Sequence, residues 1–322
     1  MIRWSLALAL ILVPAGCGRG DRARSAGGTC EYDRARAAAV FTEVPVDTAP
    51  GLSGLAADDA GGIWTIAERD ARAYRITLDA ALSPRLETFA VEGVPPRSDL
   101  EGIAALGGDR FALAIEGRRG GAATVVFTER RGATLAVTGR IDLTERDVGI
   151  PLQDNHGAEG ICGAGETIVA AIEDVGEADG RRWAPVVRIE RGAVARTHRL
   201  WLTTKTGKIS GLDCEVRPDG AITAWAIERH FEVTHLLRFE IPPPGAGADE
   251  GAVDITPTVE LDLSAVLGGC LNLEGIARLP DGRLFAVVDN QYKETIGRSL
   301  LLVFRPEAVS APPAPPAPPA PP

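Results

Sequence analysis

One pattern of apolar and polar positions recurs along the chain. Each copy begins with Glu-Gly or Ser-Gly, runs through a short apolar segment and a glycine-bearing turn, and ends after a second apolar segment at a carboxylate. Two apolar segments joined by turns such as Pro218-Asp219-Gly220, where glycine supplies a positive φ, predict an antiparallel hairpin. Because the segments are apolar nearly throughout, both faces of each hairpin are expected to be buried. The five copies are residues 53–68, 101–116, 159–173, 210–228 and 274–289.

More alternating segments follow each hairpin, for example residues 123–127 and 135–142, and predict half-exposed outer strands. Four-stranded units of rising exposure, repeated around an axis, describe an all-β fold, the β-propeller. The repeat glycines are 48, 58, 51 and 64 residues apart, whereas a four-stranded blade needs about 40–50 residues. The five recognisable repeats therefore fit five or six blades. Residues 38–46 are expected to close the ring beside residues 299–304.

The two ends of the chain do not share the repeat. Residues 1–16 have the basic start, short apolar run and small-residue site of a secretory signal, and are too short to span a bilayer. The following Cys17 resembles the acylated cysteine of a bacterial lipobox, so we expect a lipid anchor in the outer membrane, with plain secretion or periplasmic release as the alternative. The expected organisation is a signal at 1–16, a flexible tether at 17–36, the propeller at 37–307 and a solvated Ala-Pro-Pro tail at 308–322.

Composition narrows the function classes. The chain has 322 residues, of which 45% are hydrophobic, and a net charge of −10, which is typical of a folded globular domain. The excess of acidic over basic residues argues against a nucleic-acid partner, because phosphate affinity comes from clustered lysine and arginine side chains. We expect a monomer that meets a membrane only through its lipid anchor.

Cysteine usage agrees with export. Four cysteines remain after Cys17, and an even number suits an oxidising compartment. Of the three possible pairings we favour Cys162 with Cys214 and Cys30 with Cys270, because the first pair falls on neighbouring inner strands and the second near the ring closure. The alternative is that Cys162 and Cys214 are small buried apolar residues.

The hairpin repeat concentrates negative charge. In an antiparallel hairpin the first strand begins where the second ends, so the residues at both positions lie at one end of the blade. Carboxylates gathered around one axis repel each other, and arginine or lysine partners, protons or a cation must compensate them. The eight acids at these positions are Glu68, Glu101, Glu116, Glu159, Glu173, Glu228, Glu274 and Asp289.

Calcium suits a site made only of oxygen atoms, because it takes 6–8 oxygen ligands. We expect such a site among Glu101, Glu159, Glu274 and Asp289. The alternative is that each acid is solvated or paired with the arginine beside it. His156 lies three residues before Glu159 and is the histidine expected to face the site, against the alternative of a hydrogen-bonded loop histidine.

Several catalytic motifs are absent from the sequence. It contains no G-x-S-x-G, no H-E-x-x-H, no P-loop and no EF-hand loop. A serine triad and a zinc protease site are therefore weakly supported, and no motif identifies a substrate.

The order of the motifs resembles the bacterial phytase-like family, which is described as having esterase-like activity. The resemblance covers about residues 45–305. It rests on Ser53-Gly-Leu, the Glu-Gly-Ile copies at 101–103, 159–161 and 274–276, the segment Glu228-Arg229-His230-Phe231, and Asp289-Asn290. It implies an exported propeller that hydrolyses phosphate or other esters, often with calcium.

Hydrolysis of a phosphate ester at an acidic rim requires a cation. An acidic rim repels a phosphate ester unless bound Ca²⁺ links carboxylate to phosphate and activates water, in which case no protein nucleophile is required. On this hypothesis the expected catalytic residues are Glu159, His156 and Arg229. The basic residues expected to bind substrate are Arg69, Arg118 and Lys293.

Two rival functions fit the same sequence. One is a non-catalytic, surface-anchored binding or scaffold module whose cations only tie blades together, since fold alone does not decide function. The other is a lactone hydrolase, which would need a histidine near the metal, and His156 is the candidate.

Overall fold

A computed structural model of the chain describes residues 32–95, 98–116, 123–154, 156–230, 233–245, 252–291, 296–306 and 308. The expectations for the signal segment, Cys17, the tether up to residue 31, Cys30, Arg118, Lys293 and most of the tail lie outside these residues. No helix in the described ranges has the length and hydrophobicity that crossing a membrane requires.

The described chain is mostly strand, and its strands form five blades. Three short helices, Arg34–Ala38 (α1), Glu145–Val148 (α2) and Ser264–Leu267 (α3), connect or flank them. The first strand, Phe41–Val46 (β1), belongs to the last blade. Blade 1 consists of Leu52–Ala57 (β2), Ile63–Ala67 (β3), Arg72–Leu78 (β4) and Pro84–Glu92 (β5). Blade 2 consists of Asp99–Ala105 (β6), Arg110–Glu116 (β7), Ala123–Arg131 (β8) and Thr134–Leu143 (β9).

Blade 3 carries two additional short strands, whereas blade 4 has four strands. Blade 3 consists of Ala158–Ala164 (β10), Thr167–Ile172 (β11), Gly176–Ala178 (β12), Arg181–Glu190 (β13) and Ala193–Trp201 (β14). Blade 4 consists of Lys208–Val216 (β15), Ile222–His230 (β16), Val233–Ile241 (β17) and Thr258–Asp262 (β19). Between β17 and β19 the chain returns to blade 3, where Val253–Ile255 (β18) pairs in parallel with β14.

Blade 5 closes the ring. It consists of Asn272–Arg278 (β20), Leu284–Asp289 (β21), Ser299–Phe304 (β22) and β1. Strand β1 pairs antiparallel with β22, from Phe41 opposite Phe304 to Val46 opposite Ser299. The prediction of a propeller closed by this segment is therefore confirmed, and the described strands form five blades rather than six.

Apolar side chains fill the spaces between blades. Five buried clusters are present, and each combines residues from two adjacent blades. Trp64 of blade 1, for example, contacts Phe111 of blade 2 with ring centroids 4.5 Å apart. This arrangement explains why the inner strands are apolar on both faces.

The repeat glycines hold the innermost strands together. Strands β2, β6, β10, β15 and β20 contact one another in a closed ring. A Cβ placed on Gly275 would lie 2.5 Å from the carbonyl carbon of Gly54, and one on Gly102 would lie 2.8 Å from the carbonyl oxygen of Glu159. Only glycine permits this approach of the backbones around the axis.

A disulfide adds a covalent link between blades. Cys162 on β10 is bonded to Cys214 on β15, with Cα atoms 5.7 Å apart. This is the pairing favoured from the sequence. Cys270 is also disulfide-bonded, and Cys30, its predicted partner, lies outside the described residues.

Candidate functional site

β-Bulges place the repeat acids at one end of the propeller axis. The ladder register shifts across the residue before the glycine in four inner strands, at Glu101, Glu159, Ser210 and Glu274. A bulge leaves its extra residue unpaired and redirects the side chain, which is why bulges often occur beside active sites. The sequence motif Glu-Gly therefore combines a bulge residue with the glycine that packs against the next blade.

The closing acids of the hairpins meet the bulge residues at the same end. Asp99 is paired with Glu116, and Asn272 with Asp289, so the last residue of each second strand lies beside the first residue of the inner strand. We call the resulting group the axial acid cluster. Its members are Glu68, Glu101, Glu116, Glu159, Glu173, Glu274 and Asp289.

Three members of the cluster are close enough to share one ion. Carboxylate oxygens of Glu116, Glu159 and Glu173 all lie within 4.8 Å of one another, and the three side chains are buried. Two oxygens that each lie about 2.3–2.6 Å from one calcium ion are at most about 5.2 Å apart, so the observed spacing is compatible with one shared ion. The geometry thus centres the candidate cation site on these three residues, of which only Glu159 belongs to the ligand set predicted from the sequence.

Burial and mutual repulsion disfavour ionisation of these groups. Burial, with the charges of Glu159 and Asp99, raises the pKa of Glu116 to about 8. Burial raises the pKa of Glu274 to about 7, although Arg229 opposes the shift. The pKa of Glu101 lies well above its usual range because of burial and the charge of Glu159. Without a cation, part of the cluster is protonated near neutral pH.

Two basic side chains form ion pairs with the cluster in the described part of the chain. Lys208 pairs with Glu173. Arg229 pairs with Glu274 and donates to the carbonyl oxygen of Leu273 at 3.1 Å. Burial raises the pKa of Glu159, although the positive charges of Lys208 and Arg229 oppose the shift.

One buried oxygen in the cluster has no partner. Oε1 of Glu274 accepts from Arg229 and, at 2.7 Å, from Nδ2 of Asn272. Oε2 of the same carboxylate is also buried, since Glu274 is only 6% exposed. Among the described residues, none donates a hydrogen bond to it. A buried, unsatisfied carboxylate oxygen is costly, and a bound cation would satisfy it. The donor set therefore fits a hard cation.

His156 lies at the edge of the cluster. Its Nδ1 is 2.6 Å from Oδ1 of the buried Asp174, which directly follows Glu173 in the chain. The next residue, Gly157, pairs with Glu116, and its carbonyl oxygen accepts from the backbone N–H of Glu173 at 2.9 Å, so His156 adjoins two of the three candidate ligands.

The other predicted residues have the following surroundings. Asp289 accepts from the backbone N–H of Gln291 at 2.8 Å and from Nδ2 of Asn272 at 3.1 Å. Arg69 is 3.7 Å from Asp99, and its side chain is 55% exposed. Arg118 and Lys293 lie outside the described residues.

Glu228, the closing acid of blade 4, is bound by a neighbouring loop. Its carboxylate accepts hydrogen bonds from the backbone and hydroxyl groups of Thr203 and Thr204. It therefore holds the 203–207 loop against β16. The neighbouring Arg229 pairs with Glu274 instead.

Sequence reasoning missed two members of the site. Lys208 stands two residues before Ser210, so strand alternation directs it to the same side as the bulge residue, and this signal was available. Asp174 follows a closing acid directly, but its contact with His156 joins residues 18 apart in the chain, which periodicity does not reveal.

Comparison with known proteins gives a family and a set of distant structural neighbours. The phytase-like family, described as "Esterase-like activity of phytase", matches residues 47–292. A comparison with curated proteins gave no match. Similar solved structures include the PQQ-bound aldose sugar dehydrogenase of Streptomyces coelicolor, with 16% identity, 83% of this chain and 99% of that chain covered, and a TM-score of 0.44. A streptogramin B lyase has 14% identity over 83% and 98%, with a TM-score of 0.40. An exo-β-1,3-galactanase of Phanerochaete chrysosporium has 8% identity over 81% and 64%, with a TM-score of 0.45.

Proposed function

The chain belongs to the phytase-like family, and from this membership and the geometry of the axial acid cluster we propose that it is a calcium-dependent hydrolase of phosphate or other esters. One observation carries the proposal: the carboxylates of Glu116, Glu159 and Glu173 converge within 4.8 Å in a buried position. The family description supplies the ester, and the convergence supplies the place where a cation would act.

Calcium is the cation that the donor atoms favour. The candidate ligands are carboxylate oxygens from blades 2 and 3, and the unpartnered oxygen of Glu274 lies in the same cluster. Calcium prefers oxygen ligands and tolerates irregular coordination, whereas zinc sites use histidine and cysteine. When bound, calcium would polarise an ester oxygen and lower the pKa of a water molecule.

The basic residues of the site would bind the acidic part of the substrate. Arg229 is held in place by Glu274 and the carbonyl oxygen of Leu273, so its guanidinium loses little conformational freedom on binding an anion. Arg69, 3.7 Å from Asp99 and 55% exposed, is proposed for the same role. Arg118 and Lys293 are proposed for the same role from the sequence alone.

We propose export, an anchor on Cys17 and a monomeric state for the protein in the cell. The Cys162–Cys214 disulfide supports an oxidising compartment. The proposed partner is a small ester or phosphate, with no nucleic acid and with membrane contact only through the lipid.

A structural role for the cation is the second candidate function. Glu116 belongs to blade 2, whereas Glu159 and Glu173 belong to blade 3, so one cation would link two blades. Burial of all three side chains favours this alternative, because a catalytic cation must also contact substrate.

A hydrolysis assay on metal-free protein separates the two functions. We expect release of p-nitrophenol from its phosphate or carboxylic esters after calcium is added, and at least a 100-fold loss of kcat in Glu159→Gln. Glu177→Gln, at an exposed position of β12, is the matched control and should retain activity. If calcium raises the melting temperature but no ester is hydrolysed, the cation has a structural role and the hydrolase proposal is wrong.

A further inference from the structure

We infer that His156 is the proton-transferring residue of this site and that Asp174 and Gln153 position it, an inference that rests on the proposed function. Asp174 was not among the residues expected from the sequence. Three contacts surround the carboxylate of Asp174, which lies next in the chain to the candidate ligand Glu173.

Asp174 is a buried anchor for the imidazole. Its side chain is 2% exposed. Oδ2 accepts from the backbone N–H of Gln153 at 2.9 Å, and Oδ1 accepts from Nε2 of Gln153 at 2.9 Å and faces Nδ1 of His156 at 2.6 Å. Gln153 and His156 are thus both fastened to Asp174, which lies just beyond the end of β11.

The anchor determines which ring nitrogen is free. Because a carboxylate accepts hydrogen bonds, Nδ1 of His156 carries the hydrogen, and Nε2 of the neutral ring is left with a lone pair. The same relation between carboxylate and imidazole fixes the tautomer of catalytic histidines. The side chain of His156 is 35% exposed, so a substrate or water molecule has access to it.

The position of the pair connects it to the cation site. Asp174 follows Glu173, and His156 precedes Glu159 by three residues, so both elements that carry the pair also carry candidate ligands. Asp174 contacts the imidazole directly, and the backbone of Gly157, the residue after His156, pairs with Glu116 and accepts from the N–H of Glu173. A histidine that only closed a loop would not need this proximity.

The proposed step conserves atoms and electrons. Nε2 of His156 accepts a proton from a water molecule as the water oxygen forms a bond to phosphorus or to the carbonyl carbon. The bond to the alcohol oxygen then breaks, and His156 returns the proton to that oxygen. The products are the free acid and the alcohol, and nothing is oxidised or reduced.

The test compares two histidine–aspartate pairs of the chain. His156→Ala should lower kcat by 100-fold or more, the range of general base catalysis, with KM and calcium affinity nearly unchanged. Added imidazole should restore part of the lost activity. Asp174→Asn should lower kcat without changing calcium affinity. His235, 3.5 Å from Asp262 in blade 4, is the matched control, and His235→Ala should retain activity.

The outcomes distinguish the inference from the function on which it rests. If the wild-type protein hydrolyses esters with calcium and His156→Ala does so equally well, the inference is wrong and the proposed function stands. The inference is also wrong if His156→Ala loses calcium affinity in proportion to activity, or if imidazole fails to rescue it. A wild-type protein that hydrolyses no ester, with or without calcium, overturns both.

Discussion

At the scale of single residues, the molecule is defined by carboxyl groups placed where ionisation is unfavourable. A group whose folded pKa is raised binds more protons in the folded than in the unfolded state, so folding loses stability as the pH rises between the two pKa values. For Glu116 this window extends from its ordinary value near 4.5 to about 8. Glu274 contributes over a narrower window that ends at about 7.

The metal-free protein should therefore become less stable between pH 7 and pH 8. Buried His198 does not interfere there, because its pKa is lowered to about 4 by burial and its contribution is complete above pH 6.5. Urea unfolding at both pH values measures the effect, and Glu116→Gln should reduce the difference between them. If the wild type has the same free energy of unfolding at both pH values, the raised pKa of Glu116 is contradicted.

At the scale of the element, the repeated unit is an inner strand with a bulge and a glycine. The glycine allows adjacent inner strands to approach, and the bulge directs the preceding side chain towards the axis. The sequence motif showed that acids and glycines recur together. It did not show the bulges, because an inserted residue shifts the ladder without changing the apolar pattern, and the exact ligand set depended on them.

Gly275→Ala tests the packing role of the repeat glycine. The new Cβ would lie 2.5 Å from the carbonyl carbon of Gly54 and 2.6 Å from the backbone nitrogen of Leu55, and backbone atoms cannot move aside cheaply. We expect a loss of about 1–3 kcal/mol or more in the free energy of unfolding. Gly139→Ala on β9 is the control, because its nearest atom, Cδ2 of Phe127, is 3.7 Å away. Equal unfolding midpoints for the two variants would refute this role.

At the scale of the whole molecule, sequence periodicity predicted more of the fold than of the candidate site. Five recognisable repeats predicted five or six blades, of which the described strands form five. The expected closure of residues 38–46 beside 299–304 is seen in the β1–β22 pairing. The extra strand β18, which leaves blade 4 to pair with blade 3, was not foreseen, because a three-residue parallel pairing has no periodic signal. The loop contacts of Asp174 and Glu228 were not predicted either, because they too have no periodic signal.

Closure of the ring is what makes the acids converge. Each carboxylate lies at the end of its own blade, and only the contact of all five inner strands brings residues from blades 2, 3 and 5 to one place. A cation at the axis should therefore stabilise the molecule as a whole by binding the folded state alone.

Calorimetric titration of calcium into metal-free protein tests the convergence most directly. We expect saturable binding to the wild type and to Glu177→Gln, and at least tenfold weaker binding to Glu159→Gln and Glu116→Gln. Binding of equal strength in all four proteins, or no binding to the wild type, would contradict a cation site at the axis.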